Sequence, residues 1–296
     1  MRSALTTSAP SLDIDAATVR SALGNAPFGF RHRLGRQPFL TLPAIAAVAD
    51  AWPPDALEHH VADDLPLLLP TGATEQLPLG AGDVVRGLDT NRCWVALWFL
   101  ENIEVFGQLL DAGLDPLADL IGRREGGIRV RGLNALVASP HAVVPAHFDL
   151  HHNLLLQIEG TKEVMVGAYT DPEVAQREFR NHFEGGTNNV RRLPEHVTCF
   201  RLEPGEGVYI PPYGIHWVRG GEETSVSVSF GFRTERSIRT ELSYVCNANL
   251  RKLGLSPAEP GKSELRDGAK AAVVRSKRQL DRALTSARRR ARRLVG

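Results

Sequence analysis

The chain has 296 residues, of which 43% are hydrophobic and 23% charged, enough for one large domain or two small ones with a sizeable core. No apolar run approaches the ~20 residues that span a bilayer, and the N-terminus lacks the basic start and apolar block of a secretory signal. The three cysteines are far apart and form no CxxC pair. This argues against a disulfide framework or a thiolate zinc site and predicts a cytoplasmic protein.

Charge is divided unevenly along the chain, although the formal net charge is only +1. Residues 266–296 contain 11 basic and two acidic side chains (+9), which leaves 24 basic and 32 acidic ones (−8) in the first 265 residues. Such a split predicts that the basic tail meets an acidic surface, of its own protein, of a partner or of a nucleic acid.

The N-terminal part shows mixed patterns. Residues 12–24 have helical spacing and end at a glycine. The stretch that begins at Pro38 predicts a short strand and then a helix from about Pro43 to Ala51, which stops at a proline pair. Residues 93–100 are typical of a buried strand or the start of a helix, and residues 102–122 have apolar side chains three and four apart, which predicts a helix.

The pattern changes in the middle of the chain. From about residue 127 to residue 232, short β-rich runs alternate with turn residues, which predicts an all-β sandwich or barrel. Residues 170–195 are polar and are interpreted as an excursion over the barrel mouth. Helix is expected to return after Phe232, with a break at residues 254–264 and a final helix over about residues 265–294.

A candidate metal site lies in the segment HFDLHHNLLLQIEGTK. Residues two apart in a strand face the same side, so His147 and Asp149 point together while Phe148 turns into packing. His216, at the start of a later strand, is the candidate third ligand. Two histidines and one carboxylate form the ligand set associated with non-haem Fe(II) oxygenases. The alternative is a polar-edged core strand, since HxD also occurs by chance.

Further motifs follow in a fixed order: an asparagine six residues after the first histidine, Gln-x-x-Gly-x-Lys across a predicted β-hairpin turn, Pro-Gly-Glu, Ile-Pro and the distal histidine. Over residues 136–232 this set resembles the JmjC/cupin-like Fe(II)- and 2-oxoglutarate-dependent oxygenases, in particular the branch that contains the asparaginyl hydroxylase of hypoxia-inducible factor. The resemblance covers about a third of the chain and implies a double-stranded β-helix (jelly-roll) core.

The resemblance also implies roles for individual residues. His147, Asp149 and His216 match the metal triad. Lys162, fifteen residues after the first ligand, matches the lysine that pairs with the distal carboxylate of 2-oxoglutarate; a compact buried ammonium suits that task. The matches to the polar residues that line the cosubstrate pocket are Asn153, Ser229 and, less closely, Ser227. A solvated lysine after a turn and polar filling by alternating serines are the structural alternatives.

The chain also departs from its relatives. Many of them have a threonine three residues before the first histidine, and this chain has Val144. Thr161, Tyr209 or another residue is expected to supply the missing hydroxyl, unless cosubstrate binding is weaker. His151 and His152 are unusual; a continued strand would place His151 on the metal side, where it either touches substrate or lies in the barrel wall.

The basic tail has apolar residues at helical spacing. The first interpretation is an amphipathic helix that packs on the acidic body or on a second subunit, since relatives dimerise through C-terminal helices. Nucleic-acid binding through phosphate contacts is the alternative, although the tail has no aromatic residue for stacking.

We therefore predict a mainly β protein with a jelly-roll core and helical additions: a lead-in at 1–125, the catalytic barrel at 126–233 and a helical region at 234–296. The implied activity is hydroxylation of an unactivated C–H bond with Fe(II), 2-oxoglutarate and O2, on a protein or peptide side chain. The alternatives are hydroxylation of a small metabolite and a non-enzymatic regulator with a DNA-binding tail. A homodimer through the C-terminal helices is expected, and no membrane association.

Overall fold

The computed structural model describes residues 11–34, 37–62, 65–69 and 77–295, with side chains as far as residue 285. The lead-in contains β1 (Ser11–Asp13), α1 (Ala16–Ala22), β2 (Phe28–Arg33), α2 (Leu42–Ala51), β3 (Leu57–Val61), α3 (Ala81–Arg86), α4 (Leu88–Asn91), β4 (Cys93–Leu97), α5 (Glu104–Leu114) and α6 (Ala118–Glu125). In these residues no helix is both long enough and apolar enough to cross a membrane.

The barrel and the tail complete the chain. Their elements are β5 (Ile128–Ala138), β6 (Val143–Phe148), β7 (His152–Glu159), β8 (Lys162–Ala168), α7 (Pro172–Phe183), β9 (His196–Leu202), β10 (Glu206–Ile210), β11 (Ile215–Gly220), β12 (Ser225–Thr234), α8 (Glu235–Lys252) and α9 (Glu264–Val295). The predicted β region and the final helix are thereby confirmed.

Two antiparallel sheets face each other. One has the strand order β1-β2-β10-β7-β12-β5-β4-β3 and the other the order β6-β11-β8-β9. Consecutive barrel strands alternate between the sheets, except β8 and β9, which pair in the smaller sheet, and this is the jelly-roll arrangement that the sequence predicts. Strands of the lead-in extend the larger sheet at both edges, so this segment completes the barrel wall. The predicted boundaries at residues 125 and 233 stay predictions.

Side-chain alternation along β12 separates two cores. Val226, Val228 and Phe230 face the helices of the lead-in and belong to the largest apolar cluster. Ser225, Ser227 and Ser229 face the other way, toward the space between the sheets, because successive strand residues point to opposite faces. The strands β6, β7, β11 and β12 all direct polar side chains into that space.

Several local predictions need correction. Residues 12–24 form β1 and then α1, because the Asp15 side chain caps the helix by accepting from the Ala17 and Thr18 amides at 2.8 Å. The strand predicted after Pro38 is a 3-10 turn, Pro38–Leu40. The long helix over 102–122 is two helices, because Pro116 interrupts the hydrogen-bond ladder in a 3-10 turn at Asp115–Leu117.

Two further corrections concern the barrel connections. The polar excursion at 170–195 contains α7, which is capped by Asp171. The turn at Gly160 (φ +66°) does not close a hairpin. It joins β7 in the larger sheet to β8 in the smaller one. The crossing places Lys162 at the start of a strand on the opposite wall.

Candidate active site

The three predicted metal ligands meet at one end of the space between the sheets. His147 on β6 lies directly opposite His216 on β11, and Asp149 follows the end of β6. Their ligating atoms all lie within 4.8 Å of one another, with 3.7 Å between His216 Nε2 and Asp149 Oδ2. They form the only such cluster among the described residues.

Hydrogen bonds present the correct imidazole nitrogens to a metal. His147 Nδ1 lies 2.8 Å from the Pro145 carbonyl oxygen, and His216 Nδ1 lies 3.0 Å from that of Gly214. A carbonyl only accepts, so each Nδ1 carries the proton and donates it. Each Nε2 is then unprotonated and lies near Asp149. Its lone pair is available to a metal, as in a histidine that binds a metal. The donor set fits Fe(II).

The turn after β10 holds two of the ligands at once. The Tyr213 amide donates to the Asp149 carbonyl oxygen at 2.7 Å, and the next carbonyl, that of Gly214, accepts from His216. Tyr213 has a φ of +63°, a left-handed conformation that is costly for a residue with a side chain. The strained turn therefore lies where the backbone positions the metal ligands.

The protonation states of the ligands also suit a metal. Burial alone would raise the pKa of Asp149, but the neighbouring His151, His216 and His147 and a hydrogen bond from Asn153 outweigh it and hold the pKa below its usual value. Burial, and then the proximity of His147, lower the pKa of His216. An ionised carboxylate and neutral imidazoles are the forms that bind a metal.

The predicted cosubstrate residues have different positions. Asn153 donates to Asp149 through its amide and accepts from Ser229 Oγ at 2.8 Å, so both residues support a metal ligand. Ser227 donates to Gln157 Oε1 at 2.6 Å and is not among the described residues that line the cavity. Ser225, which the sequence analysis missed, does line it.

A cavity of about 900 Å³, including its open mouth, runs from the triad toward Lys162. The Lys162 side chain enters from β8, where Lys162 is opposite Gly220, whereas His216 is opposite Val166 four residues along the same strand. Lys162 is 7% exposed, and its ammonium has no hydrogen bond or ion pair with any described residue. Burial lowers the pKa of its ammonium to about 8.

The expected substitutes for the missing threonine hydroxyl are wrong. Val144 lines the cavity, but of the two proposed substitutes neither does so in the described part of the chain. Tyr209 lies behind the larger sheet, where its hydroxyl accepts from the Gly24 amide at 2.8 Å. Thr161 lies at the turn beside Gly221, whose amide donates to the Thr161 carbonyl oxygen at 2.9 Å.

The side chains of the two extra histidines lie on opposite sides of the larger sheet. His151 lines the cavity on the metal side, with its Nε2 3.9 Å from Asp149 Oδ2, although the strand does not continue and residues 149–151 connect β6 to β7. His152 starts β7 and points to the opposite face, where it is fully buried and its Nδ1 lies 2.7 Å from the Tyr209 hydroxyl. Only His151 is placed to touch a substrate.

One group of cavity residues escaped the sequence analysis. Trp94 on β4 and Trp98, which directly follows β4, both line the cavity. The Trp98 indole donates to Glu58, which also lies 2.6 Å from His60 Nε2, and the His60 ring packs on Trp94 at 4.7 Å. The alternation of Trp94, Ala96 and Trp98 was the available signal, because it puts both indoles on one face.

Comparisons with known proteins agree with this geometry. The jelly-roll fold, the facial arrangement of the candidate ligands and the cavity lysine are the features that JmjC/cupin-type 2-oxoglutarate oxygenases share, the class that the sequence resembles and whose members use Fe(II), 2-oxoglutarate and O2. Residues 126–239 of the chain match the model of the JmjC domain. This match supports the class and the cofactors that the sequence predicts.

Two curated relatives match this region at 31% identity. They are "Lysine-specific demethylase JMJ30" of Arabidopsis thaliana, over 121 residues (37% of this chain), and "Jumonji C domain-containing protein 5" of Drosophila melanogaster, over 112 residues (33%). The matches span only 28% and 27% of those proteins.

Solved structures share the fold over more of the chain. The Escherichia coli protein ycfD matches with a TM-score of 0.56 and 16% identity, over 91% of this chain and 68% of its own. The same protein, described as a ribosomal oxygenase in complex with cobalt and 2-oxoglutarate, matches with a TM-score of 0.54 and 17% identity, over 90% and 67%. At these identities the likeness concerns the fold alone.

Proposed function

We propose that the chain is an Fe(II)- and 2-oxoglutarate-dependent dioxygenase that hydroxylates an unactivated C–H bond on a side chain of a protein or peptide. One cavity that contains the metal triad at one end and a buried, unpartnered ammonium at the other supports this most directly. The overall reaction converts 2-oxoglutarate, O2 and R–H into succinate, CO2 and R–OH.

The residues divide the work along the cavity. His147, Asp149 and His216 hold the iron on one face, and bound iron supplies the oxidising chemistry with O2 and the cosubstrate. Lys162 neutralises the distal carboxylate of 2-oxoglutarate. Most of the remaining cavity surface is apolar, which excludes water and strengthens that ion pair.

An exposed aromatic residue next to the cavity wall favours a polypeptide substrate. Phe99 is 56% exposed, has a left-handed φ of +65° and follows Trp98 of the cavity wall. Its amide donates to Asn134 Oδ1 at 3.2 Å, and Asn134 also lines the cavity. A rigidly held exposed aromatic offers contact area beyond what a small metabolite needs. The names of the relatives, a ribosomal oxygenase and a lysine demethylase, agree with a protein substrate.

Anaerobic spectroscopy tests the core of the proposal. Fe(II) and 2-oxoglutarate together should give a weak visible charge-transfer band with the native protein and none with Asp149→Ala. Leu150→Ala, next to the ligand, is the matched control that should keep the band. The absence of a band from native protein at saturating cosubstrate would contradict the proposal.

The substrate class needs a separate experiment. Cell extract is incubated under ¹⁸O2 with native protein or with Asp149→Ala, and proteins and metabolites are then analysed by mass spectrometry. One ¹⁸O atom in a peptide, with native protein only, supports the proposed substrate. Label only in a small molecule would favour the metabolite alternative, and released formaldehyde would indicate demethylation.

We also propose that the chain forms a homodimer through α9. This helix packs on α8 through Ala271 and Val274, whereas Val273, Leu280 and Leu284 stay exposed among basic residues. Leu280→Glu should shift the mass in multi-angle light scattering from dimer to monomer, and Lys277→Glu should not.

Salt-sensitive DNA binding that survives Asp149→Ala but not deletion of 266–296 would favour the regulator instead. The three free cysteines agree with a cytoplasmic location.

A further inference from the structure

The end of the cavity that contains Lys162 has a second unsatisfied group. Trp94 Nε1 is buried and has no hydrogen-bond partner among the described residues, and the Trp94 side chain lines the cavity. We propose that the indole N–H of Trp94 donates to the distal carboxylate of the cosubstrate, as the second contact beside Lys162. This assignment rests on the proposed function and names the chemistry that replaces the hydroxyl missing at Val144.

Strand pairing places Trp94 at the Lys162 end. On one wall Trp94 lies opposite Ala138, which lies opposite Ser225 on β12, so the three share a face. On the other wall Lys162 lies opposite Gly220. Trp94, Lys162 and Ser225 therefore converge on the end of the cavity away from the triad.

Backbone hydrogen bonds tie these two walls together. The Ser139 amide donates to the carbonyl oxygen of Cys93, the neighbour of Trp94, at 2.9 Å. The Gly220 amide donates to the Ala142 carbonyl oxygen at 2.8 Å. The short 139–142 segment thus connects the strand of Trp94 to the strand pair of Lys162, and its length keeps the two side chains close.

The indole is also held in place before any ligand arrives. Its ring packs against that of His60, with 4.7 Å between centroids, and His60 Nε2 lies 2.6 Å from Glu58 Oε1. A donor with a fixed direction loses little freedom when it binds, so more of the hydrogen-bond energy reaches the ligand.

The chemistry of the group limits what can satisfy it. An indole N–H only donates, and a buried donor without an acceptor is costly, so such groups in native proteins call for an explanation. A carboxylate has about four acceptor positions, and one lysine cannot occupy them all. The Ser225 hydroxyl accepts from Gln157 Nε2 at 3.3 Å, which leaves its own proton free as a third donor. An ammonium, an indole N–H and a hydroxyl together form a carboxylate site.

Calorimetry with protein loaded with Zn(II), which is redox-inert, tests the assignment. The ligands are 2-oxoglutarate and 2-oxopentanoate, which has a methyl group in place of the distal carboxylate. Trp94→Phe keeps the ring and removes the N–H, so the Kd for 2-oxoglutarate should rise about tenfold or more while that for 2-oxopentanoate stays within about twofold. Zn(II) affinity should not change. Trp52→Phe is the matched control, because the Trp52 N–H donates to the Trp98 carbonyl oxygen at 2.8 Å and Trp52 is not among the described residues that line the cavity; it should change neither Kd.

A measurement on native protein covers the case in which the variant fails to fold. The chain has four tryptophans, hence four indole N–H signals in ¹⁵N-labelled protein. In the Zn(II) form, 2-oxoglutarate should move one of them strongly downfield, and 2-oxopentanoate should not. Equal weakening of both ligands by Trp94→Phe, or no weakening and no selective shift, would overturn the assignment while the proposed function stands. Failure of native protein to bind 2-oxoglutarate at all would overturn both.

Discussion

Buried polar groups on the two sides of the larger sheet differ in whether they have hydrogen-bond partners. On the helix-covered face, both ring nitrogens of His152 have partners, the Tyr209 hydroxyl at 2.7 Å and Thr234 Oγ1 at 3.3 Å, and the ring stacks on Phe232 at 4.6 Å. In the cavity on the other side of this sheet, the Trp94 indole and the ammonium of Lys162, which enters from the smaller sheet, have none among the described residues. A satisfied network stabilises the fold, whereas unsatisfied groups around a cavity indicate where a ligand binds.

The network on the helix-covered face has a consistent direction. Burial lowers the pKa of His152 to about 3, so the ring is neutral. Tyr209 accepts from the Gly24 amide and donates to His152 Nδ1, and His152 Nε2–H donates to Thr234, whose hydroxyl donates to Glu125 at 3.1 Å. One chain of hydrogen bonds thus joins the lead-in, the barrel and the start of α8.

The largest effect is expected from removing a metal ligand. Asp149→Ala should lower succinate formation more than about 100-fold, because even the groups that only support a metal ligand affect metal affinity 10–100-fold. His152→Gln, on the opposite face, should leave metal affinity unchanged and lower the melting temperature instead. Loss of metal binding in His152→Gln would break the comparison between the two faces.

Lys162→Met should weaken 2-oxoglutarate binding and increase the free energy of unfolding. The Lys162 pKa falls from 10.5 to about 8 on folding, so burial of the charge costs on the order of 3 kcal/mol below pH 8. Between pH 8 and 10.5 the unfolded chain binds more protons, so the native free energy of unfolding should rise with pH in that window. Lys162→Met should be more stable than native protein at pH 7, with a difference that shrinks toward pH 10.5. Urea unfolding at both pH values measures this, and a less stable variant would contradict it.

Gly24→Ala should damage only the helix-covered face. Gly24 has a φ of +77°, and an added Cβ would lie 2.7 Å from Glu125 Oε1. The change should reduce the free energy of unfolding by about 1–3 kcal/mol without altering metal or 2-oxoglutarate affinity. Gly122→Ala, in a helix with open space around it, is the control and should be neutral or stabilising. Equal destabilisation by both would mean that the position of Gly24 is not special.

The smallest effect concerns the valine at the cavity wall. Val144→Thr should lower the Kd for 2-oxoglutarate about 2–10-fold by adding a donor near the distal carboxylate. Thr161→Val should leave that Kd unchanged, since Thr161 faces the Gly221 turn. Calorimetry on the Zn(II) form measures both. If Thr161→Val changed that Kd as much as Val144→Thr does, the Thr161 hydroxyl would have to contact the cosubstrate in the cavity.

The sequence by itself indicated the class that the chain resembles and the three candidate metal ligands. His147 and Asp149 could be read from strand parity, and the ordered motifs up to His216 are specific enough to imply the jelly roll and the cosubstrate lysine. These signals are local or depend only on order along the chain, and the described residues bring all four together in one cavity.

Only the tertiary structure decided which distant residues complete the site. Trp94 is 68 residues before Lys162 in the chain, and its position at the Lys162 end of the cavity follows from strand pairing through β5 and β12. For the same reason Tyr209, which the sequence offered as a substitute for the hydroxyl missing at Val144, lies on the helix-covered face of the larger sheet. Parity predicts that neighbouring residues alternate, but which face a strand turns to the cavity depends on sheet contacts between residues far apart in sequence.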